Sequence, residues 1–358
     1  MKKSLVAILL SAVLSSIASA QTQTTGEGAR ERGQAEQAKP EPPAAATGKS
    51  PRTPPRAAQS IDKLLDGELD RMVNELPIPT LPLPPSPPRP PAGVRLDGVG
   101  LGLGGGRGVD PPTNDKEFYA RGMTLLASEM FDQAIADFDK VIGLNPQHEE
   151  AYFNRGKSYL FKADYGRALD DYNKLIRLNP RHALAYVNRG ITHAHKGDVK
   201  RAIADYDEAL RLDPQLSIAY NNRGLAYLRR GDHESALADF DRALQINPQN
   251  KFSYFYRGRA YIEKGDHDRA ITEYEKLIRL TPHDPLAYNN RGYAYYLKGD
   301  YDRAIADYSE AIRLNPDPTN LKLAYANRAK AFEKLGDRAK ARADQERVAE
   351  LEKRAKKR

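Results

Sequence analysis

The 358-residue chain contains no cysteine and no tryptophan, and only four methionines. Without cysteine there is no disulfide staple, no thiolate nucleophile, no zinc-thiolate centre and no lipid-modified cysteine behind an export signal. Long apolar runs are missing as well. The run from Leu5 to Ile17 is too short for the roughly 18 or more apolar residues that a membrane span requires. It follows Lys2 and Lys3 and precedes Ala18-Ser19-Ala20, which is the three-part pattern of a secretory signal peptide. Residues 1–20 are therefore expected to be cleaved near Ala20. The mature chain is expected to be exported, periplasmic or secreted, without an integral membrane span.

An excess of charge is also absent where it would matter. The net charge is +8, but Lys2, Lys3 and the five basic residues of the tail 353–358 supply seven of those charges. Residues 113–352 are nearly neutral and lack the basic footprint that a nucleic-acid backbone requires, so no nucleic-acid partner is expected. The chain has no P-loop, no Gly-x-Ser-x-Gly and no isolated pair of carboxylates. Its seven histidines include His193 and His195 on one helix, two residues apart, whereas ligands on one helical face stand three or four apart. Neither a metal nor another cofactor is expected, and an enzyme is the remote reading.

Residues 21–112 are rich in Pro, Gly and Ala, a composition that buries too little apolar surface to offset chain entropy, so disorder is expected. Pro77 to Pro91 suits a stiff polyproline spacer or, alternatively, a recognition ligand. Gly100, Gly102 and Gly105 fall at the spacing of a dinucleotide loop, but the strand and helix that such a loop needs are missing around them. Within the segment, Ile61, Leu64, Leu65, Leu69, Met72, Val73 and Leu76 recur at helical spacing behind Ser60. An amphipathic helix over 60–76 is predicted. It would either fluctuate in a tether or cover its stripe with a partner surface, including a groove of this chain or a second copy, so self-association is a second expectation about partners.

From Asp115 the chain repeats every 34 residues. Gly122, Gly156, Gly190, Gly224, Gly258 and Gly292 share one position. Further along come Ala134, Ala168, Ala202, Ala236, Ala270 and Ala304, then Phe138, Tyr172, Tyr206, Phe240, Tyr274 and Tyr308, then a proline from Pro146 to Pro316. Small residues permit close helix approach, aromatics fill between helices and proline opens the link to the next unit. Each unit thus reads as a helical hairpin, and units of this length bury their apolar faces only against neighbours.

The pattern resembles the tetratricopeptide repeat of exported bacterial proteins. That resemblance implies an all-α solenoid of about seven hairpins in a right-handed superhelix over 113–352, with repeats starting near 115, 149, 183, 217, 251, 285 and 322. The last copy departs from the pattern at Ala329 and Gln345, and Gln345 suits a polar capping helix. Every copy pairs an Arg with an acid 16 residues on: Arg121 with Asp137, Arg155 with Asp171, Arg189 with Asp205, Arg223 with Asp239, Arg257 with Glu273, Arg291 with Asp307, and Arg328 with Asp344. Sevenfold recurrence fits a structural salt bridge, since catalysis needs a pair once.

In tetratricopeptide proteins the first helix of each hairpin lines the inner wall. Beside each Arg stand Asn154, Asn188, Asn222, Asn290 and Asn327, with Tyr256 breaking the series. An amide both donates and accepts, so such a ladder matches an extended peptide backbone. It resembles the asparagine ladder in the superhelix of O-linked N-acetylglucosamine transferase, which implies peptide binding by Asn154, Asn188, Asn222, Tyr256, Asn290 and Asn327. Phe153, Phe255 and Tyr293 are the neighbouring anchors. The alternatives are local bonding of the amides and simple packing of the aromatics. The first copy has Tyr119 and Met123 where chaperone-binding relatives hold a terminal carboxylate with Lys and Asn, which argues against that role. The function expected is a non-enzymatic scaffold or adaptor that binds a partner's peptide segment. A self-associating or self-occupied module is the alternative.

Overall fold

Residues that recur every 34 positions do so because each fills one place in a helix pair. The computed structural model describes residues 112–314 and 318–356. The expected signal peptide, the segment before residue 112 with its predicted helix 60–76, and the last two residues of the basic tail lie outside the described residues. Seven hairpins follow one another: α1 (Asp115–Ala127) with α2 (Phe131–Leu144), α3 (Glu149–Phe161) with α4 (Tyr165–Leu178), and α5 (Ala183–His195) with α6 (Val199–Leu212). Next come α7 (Ser217–Arg229) with α8 (His233–Ile246), α9 (Lys251–Glu263) with α10 (His267–Leu280), α11 (Pro285–Lys298) with α12 (Tyr301–Leu314), and α13 (Pro318–Lys334) with α14 (Arg338–Lys356). No strand occurs among the described residues.

The hairpin core is a glycine facing a ring. A Cβ built on Gly190 would fall 2.7 Å from Cε1 of Tyr206, and one on Gly224 would fall 2.8 Å from Cε1 of Phe240. Tyr172, Tyr206, Tyr274, Tyr308, Phe138 and Phe240 are almost wholly buried there. In the last hairpin Gln345 is exposed and replaces the ring, and the facing residue is Ala329, which is buried. Removal of the ring makes room for the methyl group.

Each turn is capped by its own chemistry. Gly197, Gly231, Gly265, Gly299 and Gly336 take φ between +77° and +84°, the left-handed region open to glycine. The next residue caps the second helix, as where the Arg201 N–H donates to Asp198 Oδ1 at 3.1 Å. The first two hairpins place Glu129 and Ala163 in that region instead, each at φ 59°.

Each second helix packs against its own first helix and against the first helix of the next hairpin. First helices of successive hairpins also touch at every seam but that between α9 and α11, while successive second helices make no comparable contact among the described residues. The first helices therefore form the more closely spaced layer. One boundary differs from the sequence expectation. The seventh hairpin begins at Pro318 rather than near Lys322, because residues 318–321 add a helical turn that proline can start. The final helix runs on to Lys356 and so takes in the first four residues of the basic tail.

Candidate peptide-binding site

The arginine of each copy does more than close its hairpin. All seven predicted pairs form, as in Arg155 to Asp171 at 2.6 Å, Arg223 to Asp239 at 2.7 Å and Arg328 to Asp344 at 2.8 Å. Five arginines also reach back to the preceding hairpin. Arg155 Nη1 donates to Asp139 at 2.6 Å, Arg189 to Asn173 at 2.9 Å, Arg223 to Asp207 at 2.6 Å, Arg257 to Asp241 at 2.5 Å, and Arg328 to Ser309 Oγ at 2.8 Å. The planar guanidinium has donors for both partners. Sequence reasoning missed this second bond, although a polar residue two positions beyond each paired acid was its signal. Burial raises the Asp171, Asp239 and Asp307 carboxyls against the opposing pull of their arginines. These arginines are thereby committed to structure.

The asparagines beside them are not open to solvent. Asn154, Asn188, Asn222, Asn290 and Asn327 are between 1% and 6% exposed, and Tyr256 is 1% exposed. Three of the amides make the local bonds of the alternative reading. Asn154, Asn222 and Asn290 donate from Nδ2 to the carbonyl four residues earlier, of Glu150, Ile218 and Leu286, at 2.8, 2.9 and 2.7 Å. Asn154 also donates to the Tyr119 hydroxyl at 3.1 Å, and Asn327 donates to Asn289 Oδ1 at 3.2 Å.

Tyr119, Asn221 and Asn289 occupy one repeat position, the residue just before the ladder position. Where Tyr256 replaces asparagine, that position on the preceding hairpin is Asn221, which accepts from Ser253 Oγ at 2.9 Å. Aromatic and amide have exchanged places across that seam. Asn188 differs from the other ladder asparagines: neither its Oδ1 nor its Nδ2 has a hydrogen-bond partner.

The predicted aromatic anchors divide. Phe153 and Phe255 are half-buried, and Tyr293 is buried. Phe153 lies 6.3 Å from the Tyr172 ring and 5.4 Å from His182, while Phe255 meets Tyr256 edge-on at 5.3 Å. Phe153 and Phe255 thus pack against second-helix rings as well, Phe255 lying 6.2 Å from Tyr274, and expose only part of each ring.

Further charges share this face, at three and seven residues beyond the ladder position, which helical spacing brings to one side. Lys157 is buried and its ammonium is pushed down to about 8 by desolvation. Arg259 is buried and donates to Glu263 at 2.6 Å. His195 is held down to about 4 by burial and by the Arg229 charge, and burial also lowers Arg229 itself. Among the described residues no group of three His, Asp or Glu could hold a metal ion, and no helix is long and apolar enough to cross a membrane.

Family models described as tetratricopeptide repeat or TPR repeat match residues 119–160, 154–217, 217–250, 240–272, 258–299, 285–318 and 323–354. The chain belongs to the tetratricopeptide-repeat family. Among solved structures, a tetratricopeptide repeat protein from Parabacteroides merdae is 20% identical, with 66% of this chain and 93% of that one covered at a TM-score of 0.54. PilW, a type IV pilus biogenesis factor, is 18% identical, with 58% and 96% covered at 0.55. The C-terminal part of a TPR repeat-containing protein from Cytophaga hutchinsonii is 19% identical, with 65% and 95% covered at 0.52. At these identities the likeness is one of fold. No curated protein matches the chain. A tetratricopeptide solenoid is a protein-interaction scaffold, and its first-helix layer carries the polar groups that hairpin closure leaves over.

Proposed function

We propose that the chain is an exported, non-enzymatic adaptor whose first-helix face docks a peptide segment of a partner protein. The observation that carries this reading is Asn188, 1% exposed, with neither amide atom hydrogen-bonded. A buried amide without partners is costly, by about 1–3 kcal/mol, and a peptide that parts the first-helix layer there would supply the donor and acceptor it lacks. Asn154, Asn222 and Asn290 bond to carbonyls of their own helices, bonds that a ligand can exchange for its own. Phe153, Phe255, Tyr256 and Tyr293 supply apolar contact beside them. Asn327 closes the row in the last hairpin. Export rests on the leader pattern of residues 1–20, and an envelope or extracellular partner follows from it.

Photo-crosslinking groups on the full chain test the reading, placed at Leu184 and Leu286 on first helices and at Glu208 and Glu310 on second helices. Partner adducts are expected from the first pair only, and the double change Asn188→Ala with Asn222→Ala should reduce them while the helical circular dichroism stays unchanged. Equal adducts from both faces, or adducts indifferent to the double change, would remove the reading.

A further inference from the structure

Polar groups without partners are concentrated in three hairpins. Tyr172 Oη on α4, both amide atoms of Asn188 on α5, Tyr206 Oη on α6, and Asn221 Nδ2 and Arg229 Nε on α7 are buried atoms with no hydrogen bond. Tyr172, Asn188, Tyr206 and Asn221 are each 1% exposed or less. Outside these hairpins Asn290 bonds as described, Phe138 carries no hydroxyl, and of the ladder asparagines only Asn327 leaves an atom, Oδ1, without a partner among the described residues. Hairpins two to four thus hold most of the buried polar atoms that the fold leaves without partners.

Arg229 stands at the C-terminal end of α7, on the side of the ladder, and forms no ion pair with any described carboxylate. The groups that act on its charge are the Tyr256 and Tyr206 hydroxyls and Arg259, and Arg229 in turn depresses His195. The carboxylates of neighbouring first helices are already engaged: Glu263 accepts from Arg259 at 2.6 Å and lies 3.3 Å from His233, and Glu150 lies 3.2 Å from His148. Lys157 adds a further cation on α3. A half-buried guanidinium among hydroxyls and cations is an unusual place for a charge, since a desolvated arginine is ordinarily matched by a carboxylate in fork geometry.

We propose that hairpins two to four form a subsite for an acidic peptide segment, in which a ligand carboxylate pairs with the half-buried Arg229 guanidinium on the first-helix face. The proposal rests on the docking reading and adds to it the chemistry of the partner. Charge complementarity selects the occupant: a basic or neutral segment would leave Arg229 unmatched, and an acidic one removes that defect. Arg229 belongs to no hairpin salt bridge, so its substitution removes no contact that holds a hairpin closed.

A random 12-residue peptide library panned on the full chain, and again on Arg229→Gln, tests it. Peptides enriched by the unaltered chain should be rich in Asp and Glu, and that bias should vanish on the variant while peptides are still captured. One enriched peptide is then compared with its Gln and Asn counterpart by fluorescence anisotropy. The acidic form should bind at least tenfold more tightly to the unaltered chain and no more tightly to Arg229→Gln or Arg229→Leu. His195 gives a second readout, because a carboxylate that neutralises Arg229 should move its titration upward from about 4. Enrichment without acidic bias, or a bias that survives both variants, overturns the acidic subsite and leaves docking intact. Failure to enrich any peptide overturns both, with ordered water on Asn188 as the remaining account.

Discussion

A methyl group added at Gly190 would lie 2.7 Å from the Tyr206 ring and 3.1 Å from the Ala202 carbonyl oxygen, which is backbone. Alanine gains about 1 kcal/mol over glycine in helix propensity, while overpacking costs roughly 1–3 kcal/mol. The carbonyl cannot give way, so Gly190→Ala should lower stability by about 1–2 kcal/mol in thermal denaturation. Unchanged stability would refute the close approach. His195 makes a different prediction. Its folded value of about 4 lies below the ordinary 6.5, so between these values the unfolded chain binds more protons. Stability should therefore fall as pH drops from about 6.5 toward 4. In a His195→Leu variant that part of the loss should disappear, as urea denaturation across this window would measure.

At the scale of the element, the turn between helices separates good from strained hairpins. Ala163 takes φ 59° where later copies place glycine, and a non-glycine residue there costs roughly 1–2 kcal/mol. Glycine also loses more entropy on folding, about 0.5–1 kcal/mol. The balance favours Ala163→Gly by about 0.5–1 kcal/mol, a rise in melting temperature that would be absent if the turn were unstrained. The regular turns carry a repeated Gly-Asp, as in Gly197-Asp198, which sequence reasoning passed over. The sequence showed hairpin closure through the arginine-acid pairs. It did not show that Arg155 also reaches Asp139 in the preceding hairpin, since that bond depends on how one hairpin is set against another.

Across the whole described solenoid, the arginine bonds join one hairpin to the next. Arg223 holds Asp239 in its own hairpin and Asp207 in the one before. Arg223→Leu strands a buried carboxylate, a change on the order of 3 kcal/mol. Because each hairpin contacts only its neighbours, hydrogen exchange should rise in hairpins three and four and much less in the first and seventh. Uniform acceleration along the chain would contradict a nearest-neighbour stack.

The 34-residue period, its glycine-aromatic pairs and its arginine-acid pairs determined the hairpins by themselves, because each is a local contact between residues at constant separation. The ladder position was equally legible as a position: Asn154, Asn188, Asn222, Tyr256, Asn290 and Asn327 are adjacent to the arginines in the sequence and fall in successive first helices. Their environment was not legible, because burial depends on the distance between first helices of different hairpins, which no single repeat encodes. Only the tertiary structure covered those amides, left Asn188 without partners and set Arg229 among hydroxyls and cations. The repeated residues build the solenoid, and the departures from repetition, at His195, Arg229 and Tyr256, give its first-helix face a chemistry of its own.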